Sequence, residues 1–168
     1  MPYFILLAGP SGSGKSSLRA KLVAGLVDAV VLSSDDFLET WARDDGLSYQ
    51  ESFARHRDAA MAAVAADQSD AFARGAHVSR DQTHLTAEVR RERLAEVPDS
   101  YTRIAIAFEA PLDTLYARLS RRAAETGKHI PETVLHEQVA CYTRPHFDEG
   151  WDKVLLKTPD MPDLQILS

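Results

Sequence analysis

Short apolar runs alternate with longer segments of helical periodicity along the whole chain. The apolar runs predict strands over Tyr3–Ala8, Ala29–Leu32, Ala76–Ser79, Arg103–Phe108 and Trp151–Leu156. The periodic segments predict helices over Lys15–Leu26, Asp36–Arg43, Tyr49–Arg74, Thr86–Val97, Leu112–Ala124 and Pro131–Tyr142. Strands that alternate with helices in this way are typical of an α/β fold with a mainly parallel, here five-stranded, sheet.

Length and composition favour a single soluble domain. The chain has 168 residues, and we expect residues 1–168 to form one domain that includes a small helical lid at about residues 118–131. A net charge of −6 argues against binding nucleic acid through bulk electrostatics, although a small basic site remains compatible with it. The single cysteine, Cys141, and an apolar start too short to span a membrane indicate a cytoplasmic protein without a membrane segment.

A glycine-rich turn connects the first predicted strand to the first predicted helix. Its sequence, "GPSGSGKS", fits the P-loop pattern G-x-x-x-x-G-K-[ST]. Glycines allow backbone N–H groups to surround phosphate oxygens, and the helix N-terminus presents its positive end to the same anion. We expect Lys15 to contact the β- and γ-phosphates and the Ser16 hydroxyl to bind Mg²⁺. The pattern therefore predicts binding of ATP and Mg²⁺ by Gly9, Pro10, Ser11, Gly12, Ser13, Gly14, Lys15, Ser16 and Ser17.

Two aspartates follow the second predicted strand, in the stretch "LSSDDF". The carboxyl ends of adjacent parallel strands face one crevice, so Asp35 should lie near the γ-phosphate. A carboxylate at that position can accept the proton of an attacking hydroxyl. Asp36 precedes Glu39 by three residues, a spacing typical of a capping box, so we assign Asp36 to the N-cap of the next helix. Asp35 is then the predicted general base of a kinase.

Three arginines lie on a predicted helix that leads into the polar turn "AAETGKHI". Arg118 and Arg122 are four residues apart and therefore share a helix face. Such arginines commonly face solvent near the negative end of a helix. They would also suit a lid that closes over ATP and brings guanidinium groups to the transferring phosphoryl group. The spacing leaves Arg118, Arg121 and Arg122 as alternatives for that role.

Four motifs, in this order, resemble the P-loop polynucleotide 5′-kinase family and its zeta-toxin-like relatives. They are "GPSGSGKSS", "SSDDF", "DQTHL" and "RLSRRAAETGKHIP", and the similarity extends over about residues 5–154. The resemblance implies a P-loop NTPase three-layer fold with a small helical lid. It also implies that Asp35 is the general base, that Asp81 organises the site or binds Mg²⁺, and that Arg122 contacts the ATP phosphates. The segment "RPHFDEGWDKV" is similar to the family segment against which the adenine packs.

The chain departs from the family pattern beside the paired aspartates. Leu38 occupies the position of an arginine that grips the acceptor's phosphate in the family, and Ser34 replaces a second basic residue. Substitutes could come from Arg43, Arg55, Arg57, Arg90, Arg91 or Arg93, although each is also typical of a solvated helix face.

Three hypotheses follow from these motifs. The first is an ATP-dependent kinase that acts on a hydroxyl, with the 5′ end of a nucleic acid or a nucleotide-like acceptor as the leading candidate. The second is a small-molecule or modified-base kinase on the same scaffold, which Leu38 and the acidic composition favour. The third is a nucleotide-binding regulator without turnover, against which Lys15, Ser16 and Asp35 argue. A switch GTPase is disfavoured because no N-K-x-D tetrapeptide occurs in the chain.

Overall fold

The apolar runs form the strands of one parallel sheet in a computed structural model, which describes residues 1–162. The strands are β1 (Tyr3–Ala8), β2 (Ala29–Leu32), β3 (His77–Asp81), β4 (Thr102–Phe108) and β5 (Lys153–Lys157). Their order across the sheet is β2-β3-β1-β4-β5, and every neighbouring pair is parallel. The predicted α/β fold with a five-stranded parallel sheet is therefore confirmed. Residues 163–168, in the tail that the sequence pattern left unassigned, lie outside the described residues.

Helices connect the strands in the order that the periodicity predicts. They are α1 (Lys15–Ala24), α2 (Ser34–Asp45), α3 (Tyr49–Ala73), α4 (Ala87–Ala95), α5 (Leu112–Thr126) and α6 (Glu132–Cys141). The largest difference from the sequence prediction lies at α2, which extends two residues further at each end, and β3 continues two residues further, to Asp81. Asp81 belongs to the strand because it pairs in register with Leu7 of β1.

The central strand is β1, which is buried on both faces as parallel strands usually are. Phe4 and Leu6 pack into the apolar cluster on one face, and Ile5 and Leu7 pack into the cluster on the other. Because β1 lies between β3 and β4, the P-loop that follows it emerges at the middle of the sheet's carboxyl edge. This edge is where ligands bind in open parallel sheets.

The α5–α6 hairpin has a small apolar cluster of its own. Leu115 and Leu119 of α5 pack against Leu135 of α6, with Ile130 at the edge of the cluster. The segment predicted as a lid, residues 118–131, falls in this hairpin, and its designation as a lid stays a prediction. Within the described residues, no helix combines the length and apolarity needed to cross a membrane.

A buried ion pair joins α4 to the turn before β5. The Arg90 guanidinium donates to both carboxylate oxygens of Glu149 at 2.7 and 2.6 Å, and both side chains are almost fully buried. Arg90 also donates to the carbonyl oxygens of His84 and Thr143 at 3.0 and 2.8 Å. The expectation that Arg90 is solvated or available to an acceptor is therefore wrong, because its donors are used inside the protein.

Candidate active site

The P-loop runs from the end of β1 to the first residue of α1. Gly9 has a φ of 153°, and a Cβ atom there would lie 2.5 Å from the carbonyl oxygen of Phe108. Gly12 has a φ of 79°, and a Cβ atom there would lie 3.1 Å from a side-chain carbon of Leu119. A side chain at either position would combine backbone strain with a steric clash. The glycines thus let the loop pass between β4 and α5.

The segment "DQTHL", which begins with the last residue of β3, contacts the end of β1 and the start of the P-loop. The backbone N–H of Gly9 donates to the Thr83 carbonyl oxygen at 2.9 Å. His84 Nδ1 donates to the Leu7 carbonyl oxygen at 2.9 Å, and burial lowers the pKa of His84 to about 3, so the ring is neutral. This loop therefore anchors the start of the P-loop.

Lys15 is buried and folds back onto the P-loop. Its Nζ donates to the carbonyl oxygens of Gly9 and Pro10 at 2.7 and 2.8 Å, and lies 3.4 Å from Ser13 Oγ. Burial lowers the pKa of Lys15 to about 8, although the carboxylates of Asp81 and Asp35 act to raise it. A lysine with these neighbours can offer its charge to phosphate at neutral pH.

Ser16 and Asp81 meet at the carboxyl edge of the sheet. Ser16 Oγ donates to Asp81 Oδ2 at 3.1 Å, and an Nη atom of Arg19 donates to the same oxygen at 3.0 Å. Burial raises the pKa of Asp81, against the opposing charges of Arg19 and Lys15. Hydroxyl and carboxylate oxygens are the hard ligands that Mg²⁺ prefers. The pair of residues named from the sequence as metal ligands therefore lies together and fits a magnesium site.

Asp35 lies in the first turn of α2 and not at the end of β2. Ser33 is the N-cap, since its Oγ accepts from the Asp36 backbone N–H at 3.3 Å. The assignment of Asp36 as the N-cap is thus wrong. Asp36 instead pairs with Arg19 at 3.1 Å, and Arg19 also pairs with Asp81 at 3.0 Å.

Replacing Ser33 with alanine is expected to lower the free energy of unfolding by about 0.5–2 kcal/mol, because the first turn of α2 loses its capping acceptor. Asp36→Ala should lose less, since a partly exposed ion pair contributes only about 0–1 kcal/mol. Urea titrations of both variants measure the two losses. A larger loss of unfolding free energy in Asp36→Ala than in Ser33→Ala would show that Asp36, and not Ser33, is the N-cap of α2.

The carboxylate of Asp35 is held by two residues that the sequence did not indicate. Tyr49 OH donates to Oδ1 at 2.8 Å, and Lys128 Nζ lies 2.6 Å from Oδ2. Partial burial acts to raise the pKa of Asp35, but the charge of Lys128 and both hydrogen bonds outweigh it and hold this pKa below its usual value. Asp35 is therefore ionised at neutral pH, as a proton acceptor must be.

The three arginines of α5 have different surroundings. An Nη atom of Arg118 donates to the Gly12 carbonyl oxygen at 3.2 Å, so it contacts the P-loop. Arg121 is exposed and lies 4.0 Å from Glu125, as expected for a solvated helix face. Arg122 has a buried Nε atom without a hydrogen-bond partner among the described residues. Its charge acts to lower the pKa of both Lys15 and Asp35, and all three residues line the same cleft.

The α5–α6 hairpin contacts the P-loop at a second point. The backbone N–H of Ser11 donates to Oε1 of Gln138 in α6 at 2.8 Å. Together with Arg118, this contact brings both helices of the hairpin against the phosphate-binding loop.

A second wall of the cleft is built by α2 and α3. Leu38 is 1% exposed and packs in the core, so it does not face an acceptor. Arg43 and Arg57 line the cleft, and the Arg57 guanidinium lies 5.8 Å from the ring centroid of Phe53. The Phe53 side chain is 43% exposed. This wall thus offers arginine and an open aromatic ring in the same cleft as Asp35.

Another part of the cleft is formed by the end of β5 and the residues that follow it. Lys157, Thr158 and Pro159 line it, whereas residues 144–154 are not among the lining residues. Glu149 and Trp151 of "RPHFDEGWDKV" are buried around Arg90, and the expectation that this segment packs against the adenine stays a prediction. The whole cleft has a volume of about 1470 Å³, which exceeds the range of about 300–1,000 Å³ typical of one small-ligand site.

Comparison with known sequences gives one family. The sequence model of a family described as an AAA domain matches residues 4–145. No curated protein matches the chain significantly.

Comparison with solved structures identifies proteins of similar fold. A candidate kinase from Chloroflexus aurantiacus is 21% identical with a TM-score of 0.71, over 93% of this chain and 84% of the other. A chain of the Pnkp1/Rnl/Hen1 RNA repair complex is 23% identical with a TM-score of 0.67, over 83% of this chain and 43% of the other. A gluconokinase from Sinorhizobium meliloti is 18% identical with a TM-score of 0.55, over 96% of this chain and 85% of the other. At these identities the comparisons show a shared, kinase-like P-loop fold.

Proposed function

The chain belongs to the AAA domain family, and on this premise we propose that it is an ATP-dependent kinase that transfers the γ-phosphoryl group to an acceptor hydroxyl. One observation carries the proposal: an ionised carboxylate, Asp35, lines the same cleft as the P-loop lysine, Lys15. A P-loop alone is common to many nucleotide-binding proteins. An ionised carboxylate of fixed orientation in the same cleft can in addition remove the proton from an acceptor hydroxyl. The kinase-like fold of the structural neighbours supports the same conclusion.

The proposed reaction is an in-line displacement at the γ-phosphorus. The acceptor oxygen forms a bond to this phosphorus while the bond to the β–γ bridging oxygen breaks, and ADP leaves with the electron pair. The hydroxyl proton passes to the Asp35 carboxylate. Lys15 and Arg122 place positive charge beside the transferring group, where the transition state spreads its negative charge. Arg118 contributes on the nucleotide side through its contact with the P-loop.

Ser16 and Asp81 are the residues that we propose to hold Mg²⁺. When bound there, Mg²⁺ would neutralise charge on the β- and γ-phosphate oxygens. Arg19 would then keep Asp36 as its partner, since it contacts both aspartates.

The leading acceptor is the 5′-hydroxyl of a nucleic acid or of a nucleotide-like molecule. An exposed aromatic ring with an arginine beside it suits stacking on a nucleobase and contact with a phosphate. Phe53 and Arg57 provide this pair in the wall of the cleft that Asp35 also lines. The fold that the chain shares with a component of an RNA repair complex supports this choice.

A small-molecule hydroxyl kinase is the second candidate. Leu38 is buried and Ser34 is neutral, so α2 supplies no cation at the positions flanking the two aspartates. The shared fold with a gluconokinase supports a compact polyhydroxylated acceptor.

The cytoplasm is the proposed location for either kinase. ATP is available there, and the single free thiol of Cys141 would stay reduced.

The experiment combines thermal melting with a transfer assay. Excess Mg·ATP should raise the melting temperature, because a ligand at 100 times its Kd stabilises the folded state by about 2.7 kcal/mol. Labelled γ-phosphate should then be transferred to at least one member of a panel of 5′-hydroxyl DNA and RNA oligonucleotides, nucleosides, and sugar acids or alcohols. Phosphorylation of the last group alone would select the second candidate.

Two results would contradict the proposal. An unchanged melting temperature in excess Mg·ATP would show that the protein does not bind the nucleotide. Stabilisation without transfer to any acceptor in the panel would favour the third hypothesis, a nucleotide-binding regulator.

A further inference from the structure

Lys128 reaches from the α5–α6 hairpin across the cleft to α2. It lies in the turn between the two helices of the hairpin, and only 6% of its surface is exposed. Its Nζ is 2.6 Å from Asp35 Oδ2 and 2.9 Å from Glu39 Oε1. An ammonium group this deeply buried needs partners of opposite charge, and both are carboxylates of α2.

Tyr49 of α3 completes the enclosure of Asp35. Lys128 Nζ lies 4.2 Å from the centroid of the Tyr49 ring, and the Tyr49 hydroxyl donates to Asp35 Oδ1 at 2.8 Å. Each carboxylate oxygen thus has one donor, and a carboxylate has about four acceptor positions in all. An acceptor hydroxyl can therefore still donate to Asp35 while Lys128 and Tyr49 fix the orientation of the carboxylate.

The position of Lys128 in the chain links this contact to the phosphate side. It directly follows Gly127, the C-cap of α5, whose N–H donates to the Ala123 carbonyl oxygen. The same helix carries Arg118, which contacts the P-loop, and Arg122, whose charge acts on Lys15. A shift of α5 would therefore move Lys128 and both arginines together.

We propose that Lys128 is a positioning residue through which α5 fixes the Asp35 carboxylate for the acceptor hydroxyl. This inference rests on the proposed function, because Lys128 has this purpose only if Asp35 accepts the proton. Lys128 makes no contact with the reacting atoms in this role. It acts through Asp35.

The role of Lys128 should be visible in the pKa of Asp35 as well as in the rate. The groups that act on it are Lys128 of the turn, Tyr49 of α3, Arg122 of α5, Lys15 of α1 and Asp81 of β3. Glu39 of its own helix shares the Lys128 ammonium with it. Burial acts to raise the pKa of Asp35, and Lys128 is the first of the groups that lower it. Without Lys128 this pKa should rise, so the acidic limb of the kcat/KM profile should move to higher pH.

The test compares Lys128→Met, Lys128→Arg and the control Lys153→Met in the chain of 168 residues. Lys153 is an exposed lysine of β5 outside the cleft, so its replacement with methionine controls for the loss of one positive charge without any change near Asp35. In Lys128→Met, kcat should fall about 10²-fold because the carboxylate loses its fixed orientation. The acidic limb of its kcat/KM profile should shift to higher pH, whereas the KM for ATP should change little. Lys128→Arg and Lys153→Met should both keep the wild-type profile.

Two outcomes overturn the inference. In the first, Lys128→Met leaves the pH profile in place, whether or not the rate falls, because a purely structural role would not move the limb. In the second, Lys128→Arg shifts the limb as far as Lys128→Met. In both cases an active wild type that Asp35→Asn inactivates would leave the proposed function intact. A wild type without transfer activity is instead the failure of the proposed function.

A double-mutant cycle tests the contact without any activity. Thermal unfolding without substrates is measured for Lys128→Met, Asp35→Asn and the double variant. Contacting residues are coupled, so the loss in the double variant should be smaller than the sum of the two single losses. Additive losses would show that the hairpin does not hold Asp35 in solution, and would overturn the inference even for an active kinase.

Discussion

Asp35→Asn is expected to slow phosphoryl transfer by about 10²–10⁴-fold, the contribution typical of general acid–base catalysis. Asparagine has nearly the same shape but cannot accept the proton of the acceptor hydroxyl. Binding of Mg·ATP should persist, because the P-loop is unchanged. Single-turnover transfer from labelled ATP, with the acceptor that the panel identifies, measures the rate.

The surroundings of Asp35 add a cost in stability to this change. The amide of asparagine carries no charge, so among the described residues the buried Lys128 ammonium would keep only Glu39 as an anionic partner. The melting temperature should therefore fall, and transfer should be measured well below it.

Asp36→Asn is the matched control for Asp35→Asn. Asp36 is the neighbouring carboxylate of the same helical turn, and it pairs with Arg19 outside the proposed proton path. This variant should keep most of its turnover. If Asp36→Asn abolishes transfer while Asp35→Asn retains it, the assignment of the base is reversed. If neither variant is slower with any acceptor, the kinase mechanism is wrong.

Lys15→Met should lower kcat by about 10²–10³-fold, the loss typical of removing one preorganised donor from a developing negative charge. The fold should survive, because methionine can fill most of the space of the lysine stem. Circular dichroism checks the fold, and the transfer assay measures the rate. Lys153→Met, with an exposed lysine, serves as the control for loss of charge.

Lys15 also predicts a pH dependence of nucleotide binding. Burial lowers its pKa to about 8 in the nucleotide-free protein, and a bound triphosphate should raise this pKa because negative charge favours the ammonium form. The affinity for Mg·ATP should therefore decrease as the pH rises above about 8. Calorimetric titration in buffers of different ionisation enthalpy would show proton uptake on binding in this range. Lys15→Met should lose both the uptake and the slope. A slope that persists in Lys15→Met would assign the titration to another group.

The P-loop and the strands could be predicted because their signals are local. The P-loop is one unbroken stretch, and the glycines, Lys15 and Ser16 take their positions from the strand-to-helix turn itself. The resemblance to a known family located Asp81 at the end of the third strand, and Asp81 is the last residue of β3. The roles of Lys15, Asp35, Asp81 and Arg122 stay predictions until they are tested by mutation.

The N-cap of α2 could not be predicted because the local sequence is ambiguous. The stretch "SSDDF" contains four consecutive residues that can each cap a helix. The end of β2 at Leu32 decides among them, since the chain must turn at once to enter the helix. Ser33 is therefore the N-cap of α2, and both aspartates lie in the first turn of the helix.

The partners of Asp35 could not be predicted because they are distant in sequence. Lys128 is 93 residues away and Tyr49 is 14 residues away, on elements whose packing no local pattern specifies. The pairing of Arg90 with Glu149, 59 residues apart, was missed for the same reason. Contacts of this kind depend on how helices pack across the cleft.

The order of strands in the sheet bears on how the nascent chain folds. The first strand to be synthesised, β1, pairs only with β3 and β4, which leave the ribosome much later. Such non-local parallel pairing forms slowly. The first residue of the P-loop, Gly9, also needs Thr83 as the acceptor of its N–H. We therefore expect the phosphate cradle to be complete only after Phe108 has been made, so that ATP could assist the folding only of nascent chains longer than that.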